Sequence, residues 1–158
     1  MGASGTLGPV TVYLIATDAI TVFNEFRSVL AGPDATVRWV RSGADVVTAL
    51  NRDPADLAII DMQIGSMGGI AVYLDMRIEA DAGRLDRCPS LIVLDRRADV
   101  FMARRAAVEG WILKPLDAIR VRRATAALLR GQTWYDTSYT PDPIAVPVPS
   151  DSIAGTGK

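Results

Sequence analysis

Five short apolar runs alternate along this chain with segments whose apolar residues recur at helical spacing. Runs that are wholly apolar are typical of strands buried on both faces of a sheet. Regular alternation of such strands with helices predicts a parallel sheet, right-handed crossovers and helices on both faces. This pattern restricts the chain to an α/β architecture before any single residue is considered.

The strands can be placed by where each apolar run begins and ends. We expect them at residues 10–16, 36–40, 57–60, 90–94 and 111–113. The second run alternates apolar and charged residues, which suits a strand near the edge of the sheet. The first helix should end at Gly32-Pro33, a strong breaker pair. We predict a flavodoxin-like, doubly wound (βα)5 fold with a five-stranded parallel sheet in the order 2-1-3-4-5.

The domain boundaries follow from shifts in composition. Residues 1–9 read as a flexible leader and residues 10–130 as one domain. Beyond Gly131 the chain has four prolines, few bulky apolar residues and no periodicity, so we predict a disordered Pro-rich tail over 131–158. Within that tail, the aromatics of the stretch WYDTSY could pin it against the domain.

Composition excludes several classes of function. The chain has no histidine, so it cannot use a histidine base, a histidine metal ligand or a phosphohistidine. Its one cysteine, Cys88, cannot form an internal disulfide, and no apolar stretch approaches the roughly 18 residues needed to span a bilayer. We therefore expect a soluble, cytoplasmic protein without a membrane partner.

Charge is distributed unevenly along the chain. Residues 1–95 carry 7 basic and 12 acidic side chains, whereas residues 96–130 carry 9 basic and 3 acidic ones. Such a basic segment can be a solvated surface, a docking face for an acidic protein or a nucleic-acid contact. The arginines that we expect to form a partner face are Arg96, Arg97, Arg104, Arg105, Arg120 and Arg123.

Three charged residues stand where apolar runs stop: Asp18, Asp61 and Lys114. In one parallel sheet, strands that end in this way bring their final side chains to the same edge. That carboxyl edge is where open α/β sheets bind ligands and carry out chemistry. We therefore expect two carboxylates and an ammonium to share one pocket, although Asp18 could instead cap the first helix.

Two motifs resemble those of the receiver domains of bacterial two-component response regulators. DLAIIDMQIGSMGG is similar to the family's phospho-acceptor stretch, an apolar strand, an Asp and then a Gly-containing loop, with Gly65 in place of the usual Pro. AAVEGWILKP is similar to the family's final strand, which carries an aromatic three residues before a Lys-Pro pair. The resemblance covers roughly residues 10–130.

The resemblance implies a role for each matching residue. Asp61 would accept a phosphoryl group as an aspartyl phosphate, and Lys114 would pair with that group as a point charge. Asp18, Asp61 and the backbone carbonyl of Gln63 would hold Mg²⁺. Trp111 would be the switch aromatic, or simply a core residue of a short strand.

Departures from the family pattern weaken this picture. Thr17 stands where the family has its first acidic residue, so it would be a weak metal ligand and we expect only weak Mg²⁺ binding. The family's Ser/Thr position is taken by Asp95 or, on another count, by Leu94, and neither has a hydroxyl. Asp95 in the site would repel a phosphoryl group and could take Lys114 as its own salt-bridge partner.

Two functions follow from these matches and departures. In the first, the chain is a single-domain receiver of a two-component phosphorelay. It would be phosphorylated by a sensor histidine kinase or phosphotransfer protein, switch a face for an unidentified downstream protein or a second copy, and catalyse at most its own phosphorylation and dephosphorylation. In the second, it is a degenerate receiver that works as a phosphorylation-independent interaction or dimerisation module. We do not expect direct DNA binding, because no helix-turn-helix unit follows the domain.

Overall fold

Strands and helices alternate through residues 9–138, the part of the chain that the computed structural model describes. The strands are β1 Thr11–Ala16, β2 Ala35–Val40, β3 Leu57–Asp61, β4 Ser90–Leu94, β5 Gly110–Leu113 and β6 Trp134–Tyr135. The helices are α1 Ile20–Leu30, α2 Val46–Arg52, α3 Gly69–Asp81, α4 Asp99–Arg105 and α5 Ala118–Leu129, and a short 3₁₀ turn, Gly43–Asp45, precedes α2.

The strands form one parallel sheet in the order 2-1-3-4-5-6. Its register is level at the carboxyl ends of the central strands: Ala16 pairs with Ile60, and Leu94 pairs with Leu113. The residues that follow β1, β3, β4 and β5 therefore emerge along one edge of the sheet. The predicted parallel α/β fold is confirmed.

The prediction of five strands was incomplete, because a sixth strand extends the sheet beyond β5. β6 lies in the segment that composition assigned to a disordered tail, and it runs parallel to β5. Its Trp134 packs against the core, and the Tyr135 ring stacks on Trp111 with the ring centroids 4.1 Å apart. Two aromatic anchors thus order a segment that has no apolar periodicity. The predicted leader, apart from Pro9, and the tail from residue 139 onward lie outside the described residues.

Helices cover both faces of the sheet, and each face has its own apolar core. Alternate residues of a strand face opposite cores, as the two-residue period of a strand requires. Leu14 of β1 packs with Leu50 and Met76, from α2 and α3, whereas Ile15 packs with Phe26 and Leu128, from α1 and α5. Burial on both sides explains why these strands read as continuous apolar runs.

The glycine-rich loop after β3 packs tightly on the chain's own backbone. A Cβ on Gly69 would lie 2.6 Å from the carbonyl oxygen of Asp61 and 2.9 Å from Cα of Met62. Only glycine fits there without displacing the backbone that carries Asp61. Gly69 thus lets this loop approach the end of β3 closely.

A membrane span is not found in the described part of the chain. Over residues 9–138, every helix is too short or too polar to cross a bilayer.

Candidate functional site

Asp61, Lys114 and Asp95 meet at the carboxyl edge of the sheet. Lys114 follows β5, Asp95 follows β4, and Asp61 ends β3, so three adjacent strands deliver them to one place. The Lys114 ammonium nitrogen lies 2.8 Å from Oδ1 of Asp95 and 3.4 Å from Oδ1 of Asp61. One ammonium is therefore shared by two carboxylates, and the shorter contact is to Asp95.

The Asp61 side chain is 2% exposed, and both of its oxygens have partners. The Thr17 hydroxyl donates to Oδ2 at 2.7 Å, and the backbone N–H of Gln63 donates to Oδ1 at 3.1 Å. Thr17 is itself fixed, because its hydroxyl accepts from the N–H of Ala19 and its carbonyl accepts from Nε1 of Trp39. A buried carboxylate needs such partners, and Thr17 supplies one where the family has an acid.

Asp18 is exposed at the start of the loop after β1. Its Oδ2 accepts a hydrogen bond of 3.2 Å from the backbone N–H of Gly65, in the loop that follows Asp61. The alternative that Asp18 caps the first helix is wrong. Ala19 is the N-cap residue of α1, and no side chain makes a capping hydrogen bond there. Asp18 therefore faces the β3–α3 loop, and among the described contacts none joins it directly to Asp61.

Gly65 has a role at this site that sequence reasoning missed. A proline at this position, which the resemblance led us to expect, has no N–H and could not donate to Asp18. A Cβ here would also stand 3.1 Å from that carboxylate oxygen. The Pro-to-Gly departure and the position of Asp18 are thus linked. The signal in the sequence was the glycine at a position where the resembling motif has proline.

Asp95, rather than Leu94, occupies the position beside Lys114. Leu94 is fully buried in the apolar core, whereas Oδ1 of Asp95 bonds the ammonium and its Oδ2 has no hydrogen-bond partner among the described residues. Partial burial lowers the pKa of Lys114, but the hydrogen bond to Asp95 and the charges of both carboxylates outweigh it and raise that pKa above its usual value. The lysine is held in its charged form.

Trp111 is 5% exposed and belongs to the core on the α4 side. Its ring stacks on Tyr135 of β6, and the Arg104 guanidinium lies 5.8 Å from the ring centroid. The indole Nε1 has no hydrogen-bond partner among the described residues. The stacking partner comes from outside the predicted domain, so its position was not foreseen.

The six arginines predicted as a partner face fall into different environments. Arg96, Arg97, Arg104, Arg105 and Arg123 are exposed on or next to α4 and on α5, although Arg96 also pairs with Asp99. Arg120 does not fit the prediction, because its side chain is only 20% exposed. Its guanidinium donates to the carboxylates of Asp117 and Asp136 and to the carbonyls of Leu113 and Pro115. Five of the six side chains are thus exposed, whereas Arg120 serves the fold.

Solved structures similar to this chain include the isolated receiver domain of one response regulator and a second response regulator. The isolated REC domain of RcsB from Salmonella enterica, determined with the phosphomimetic BeF3⁻, matches with a TM-score of 0.66 at 17% identity, over 83% of this chain and 96% of that one. The response regulator ChrA of a heme-sensing two-component system matches with a TM-score of 0.63 at 24% identity, over 80% of this chain and 60% of that one. These likenesses show the fold.

Sequence relatives show the family. No protein-family model matches the chain. It is 31% identical over 99 residues to an uncharacterised response regulatory protein of Mycobacterium tuberculosis, covering 62% of this chain and 71% of that protein. The chain therefore belongs to the response regulators and carries their receiver domain.

A longer regulatory protein is also similar to this chain. The alginate biosynthesis transcriptional regulatory protein AlgB of Pseudomonas putida is 28% identical over 116 residues. That match covers 73% of this chain but only 25% of AlgB. The chain thus spans a quarter of the length of that relative.

Proposed function

We propose that this chain is a cytoplasmic receiver of a two-component pathway in which Asp61 accepts a phosphoryl group. The supporting observation is the buried Asp61 carboxylate at the carboxyl edge of the sheet, with the Lys114 ammonium 3.4 Å away. The donor would be a sensor histidine kinase or a phosphotransfer protein, as membership of the family suggests. That the chain acts without an output domain stays a prediction.

The transfer needs a nucleophile and positive charge where negative charge accumulates. A carboxylate oxygen of Asp61 would form the new P–O bond as the bond from phosphorus to the donor breaks, and the donor leaves with that electron pair. Lys114 would stabilise the extra charge on the phosphoryl oxygens. Thr17 and Gln63 hold the carboxylate in one orientation. We propose no enzymatic activity beyond phosphorylation and dephosphorylation of the chain itself.

Oxygen ligands suited to a weakly held Mg²⁺ lie around Asp61. Mg²⁺ in proteins is bound by one or two carboxylates, retained waters and substrate phosphate oxygens. Asp18, Asp61 and the carbonyl of Gln63 would supply such a set, whereas Thr17 contributes no charge and its hydroxyl is bonded to Asp61. Among the described residues, no group of three acidic, cysteine or histidine side chains that could hold a metal ion is found. The ion would offset repulsion between the carboxylate and an incoming phosphate.

The output of the receiver would be protein binding. The exposed arginines of α4 and α5, with the exposed Phe101 and Met102 of α4, suit an acidic partner that also offers apolar side chains. A downstream protein or a second copy of the chain could provide such a surface. We do not propose that the chain binds DNA directly.

Acyl-phosphate labelling tests the acceptor. The full chain is incubated with acetyl phosphate and Mg²⁺, and its intact mass is followed with time. We expect a gain of one phosphoryl group in the wild type, none in Asp61→Asn, and a wild-type gain in Asp86→Asn, which makes the same chemical change at an exposed position. An unlabelled wild type, or a label that persists in Asp61→Asn, would refute the proposal.

One observation favours a second candidate function. The Asp95–Lys114 distance of 2.8 Å is shorter than the 3.4 Å from Lys114 to Asp61, so the lysine already has a partner without phosphorylation. This arrangement suits a phosphorylation-independent interaction module. In that case the wild type stays unlabelled even with a kinase or acetyl phosphate in excess, yet still binds its partner.

A further inference from the structure

The segment after α5 is bound to β5 from Trp134 to Asp136. β6 pairs with β5 in parallel, the N–H of Trp134 donates to the carbonyl of Glu109, and the N–H of Asp136 donates to the carbonyl of Trp111. The Tyr135 ring stacks on the Trp111 ring, and its hydroxyl donates to the carbonyl of Val108. The segment thus occupies the strand edge that β5 would otherwise leave open.

Asp136 fastens this segment. It is 3% exposed, and its Oδ2 accepts from the backbone N–H of Leu113 at 2.9 Å and from the Arg120 guanidinium. Its Oδ1 accepts from the N–H of Ser138 at 2.9 Å. A buried carboxylate with a charged partner and two N–H donors is a strong anchor. Breaking these contacts would leave a charge without a partner in a poorly hydrated place.

The same contacts enclose the segment that carries Lys114. The N–H of Leu113 is bonded to Asp136, while the carbonyls of Leu113 and Pro115 are bonded to Arg120. Lys114 lies between these two residues, and its own N–H donates to the carbonyl of Leu94 at 2.9 Å. The backbone on both sides of the lysine is therefore held, directly or through Arg120, by Asp136.

We propose that residues 134–138 form a latch, fastened by Asp136 and Arg120, that closes the edge of β5 and positions Lys114 for the chemistry at Asp61. The part concerning Asp61 rests on the proposed function, whereas the latch and its hold on Lys114 do not. Asp136 is a positioning residue, since it acts on the site through the backbone of Leu113 and through Arg120. Because coupling between sites is reciprocal, a phosphoryl group on Asp61 that draws on Lys114 tightens the latch.

Two changes open the latch in the full chain. Asp136→Asn removes the charge and keeps the shape, and Tyr135→Ala removes the stack from a half-exposed side chain. Asp86→Asn is the matched control, an exposed aspartate in the segment between α3 and β4. Thermal unfolding checks that each variant folds. If Asp136→Asn does not fold, the test is made with Tyr135→Ala.

Hydrogen exchange measures the latch itself. We expect the amides of Leu113 and Asp136 to exchange about tenfold faster or more in both latch variants, because charged hydrogen bonds or the ring stack on Trp111 are lost. The control should match the wild type. Wild-type exchange rates in the latch variants would overturn the proposal, whatever the state of Asp61.

The hold on Lys114 has its own measurement, because the chain has only one other lysine, Lys158. Acylation by an N-hydroxysuccinimide ester, mapped on peptides, reports Lys114 with Lys158 as an internal reference. Opening the latch should speed acylation of Lys114 relative to Lys158 by about threefold or more, since local opening exposes the amine. An unchanged ratio would mean that the latch does not position the lysine.

Labelling by acetyl phosphate then tests the coupling to Asp61. We expect severalfold slower labelling in both latch variants, and slower exchange at Asp136 in wild type treated with Mg²⁺ and beryllium fluoride. If the wild type labels and the variants label equally fast, the coupling is wrong while the receiver function stands. If the wild type does not label at all, the receiver function fails, and the exchange and acylation results still decide the latch.

Discussion

At Asp61, a neutral hydroxyl holds one carboxylate oxygen where the family resemblance led us to expect another acid. Thr17 is fully buried and donates a 2.7 Å hydrogen bond to it. The sequence showed the loss of an acidic residue at this position. It did not show that the hydroxyl would turn to the acceptor, because that depends on where Trp39 and Ala19 fix Thr17.

Removing that hydroxyl should destabilise the fold. In Thr17→Val the buried Oδ2 of Asp61 loses its donor, and a group left without a partner costs about 1–3 kcal/mol. We expect the free energy of unfolding in urea to fall by that amount. Thr36→Val, the same change at an exposed site on β2, should leave it within about 0.5 kcal/mol of wild type. An equal effect in both variants would mean that the Thr17–Asp61 bond does not matter.

Asp95 should restrain phosphorylation of Asp61. A fixed negative charge about 4 Å from a phosphoryl group repels each unit of its charge by roughly 4 kcal/mol at an effective dielectric of about 20. Asp95→Thr removes this charge, frees Lys114 and supplies a hydroxyl, so labelling by acetyl phosphate should rise about tenfold or more. The extent of labelling is read from intact mass.

Asp95→Asn separates the effect of removing the charge from the effect of adding a hydroxyl. It should give most of the increase, because it removes the charge and keeps the shape. If neither variant labels more than wild type, the inhibitory role of Asp95 is refuted.

At the scale of elements, the end of the described chain behaves as part of the domain. Composition alone assigned it to a tail, since it lacks a periodic apolar pattern. Its order comes from three side chains, Trp134, Tyr135 and Asp136, each of which needs a partner far away in sequence. The aromatics of the stretch WYDTSY were the available signal. They indicated that this segment could contact the domain, but not that it would form a sixth strand.

The latch should weaken in acid. Burial raises the pKa of Asp136, but the hydrogen bonds from Ser138 and Leu113 and the charge of Arg120 outweigh it, so the pKa is lowered below its usual value. A carboxylate with a lowered folded-state pKa stabilises the fold above its unfolded-state pKa, about 3.9, and this contribution is lost as pH falls through the folded-state value. The latch is therefore stronger at neutral pH than in acid.

Measured stabilities can check this sign. The difference in the free energy of unfolding between wild type and Asp136→Asn should be largest near neutral pH and should shrink toward about pH 3. Asp86→Asn, at an exposed position, provides the comparison. A difference that grows with acid would contradict the lowered pKa of Asp136.

At the scale of the whole molecule, ligand binding at the carboxyl edge should stabilise the entire domain. A phosphoryl mimic that binds only the folded chain adds about 2.7 kcal/mol at one hundred times its Kd. Beryllium fluoride with Mg²⁺ should therefore raise the Tm by about 10 °C in the wild type. Asp61→Asn should show no shift with the mimic. A wild type that does not respond either would favour the phosphorylation-independent module.

The sequence by itself determined the parallel α/β fold, the order of the first five strands and the edge at which Asp61 and Lys114 lie. It could do so because strand burial and strand ends are local properties, written as apolar runs and the residues that stop them. It also indicated that Asp61 had lost an acidic neighbour and that Asp95 or Leu94 replaced a hydroxyl.

Only the tertiary structure decided which partner each charged group takes. Lys114 lies closer to Asp95 than to Asp61, Arg120 turns inward to Asp136, and Leu94 is buried. These outcomes depend on competition among groups that lie tens of residues apart in sequence, where an ångström or less changes which contact is made. No local pattern encodes that competition, so the sixth strand and the sharing of Lys114 became visible only once the chain was folded.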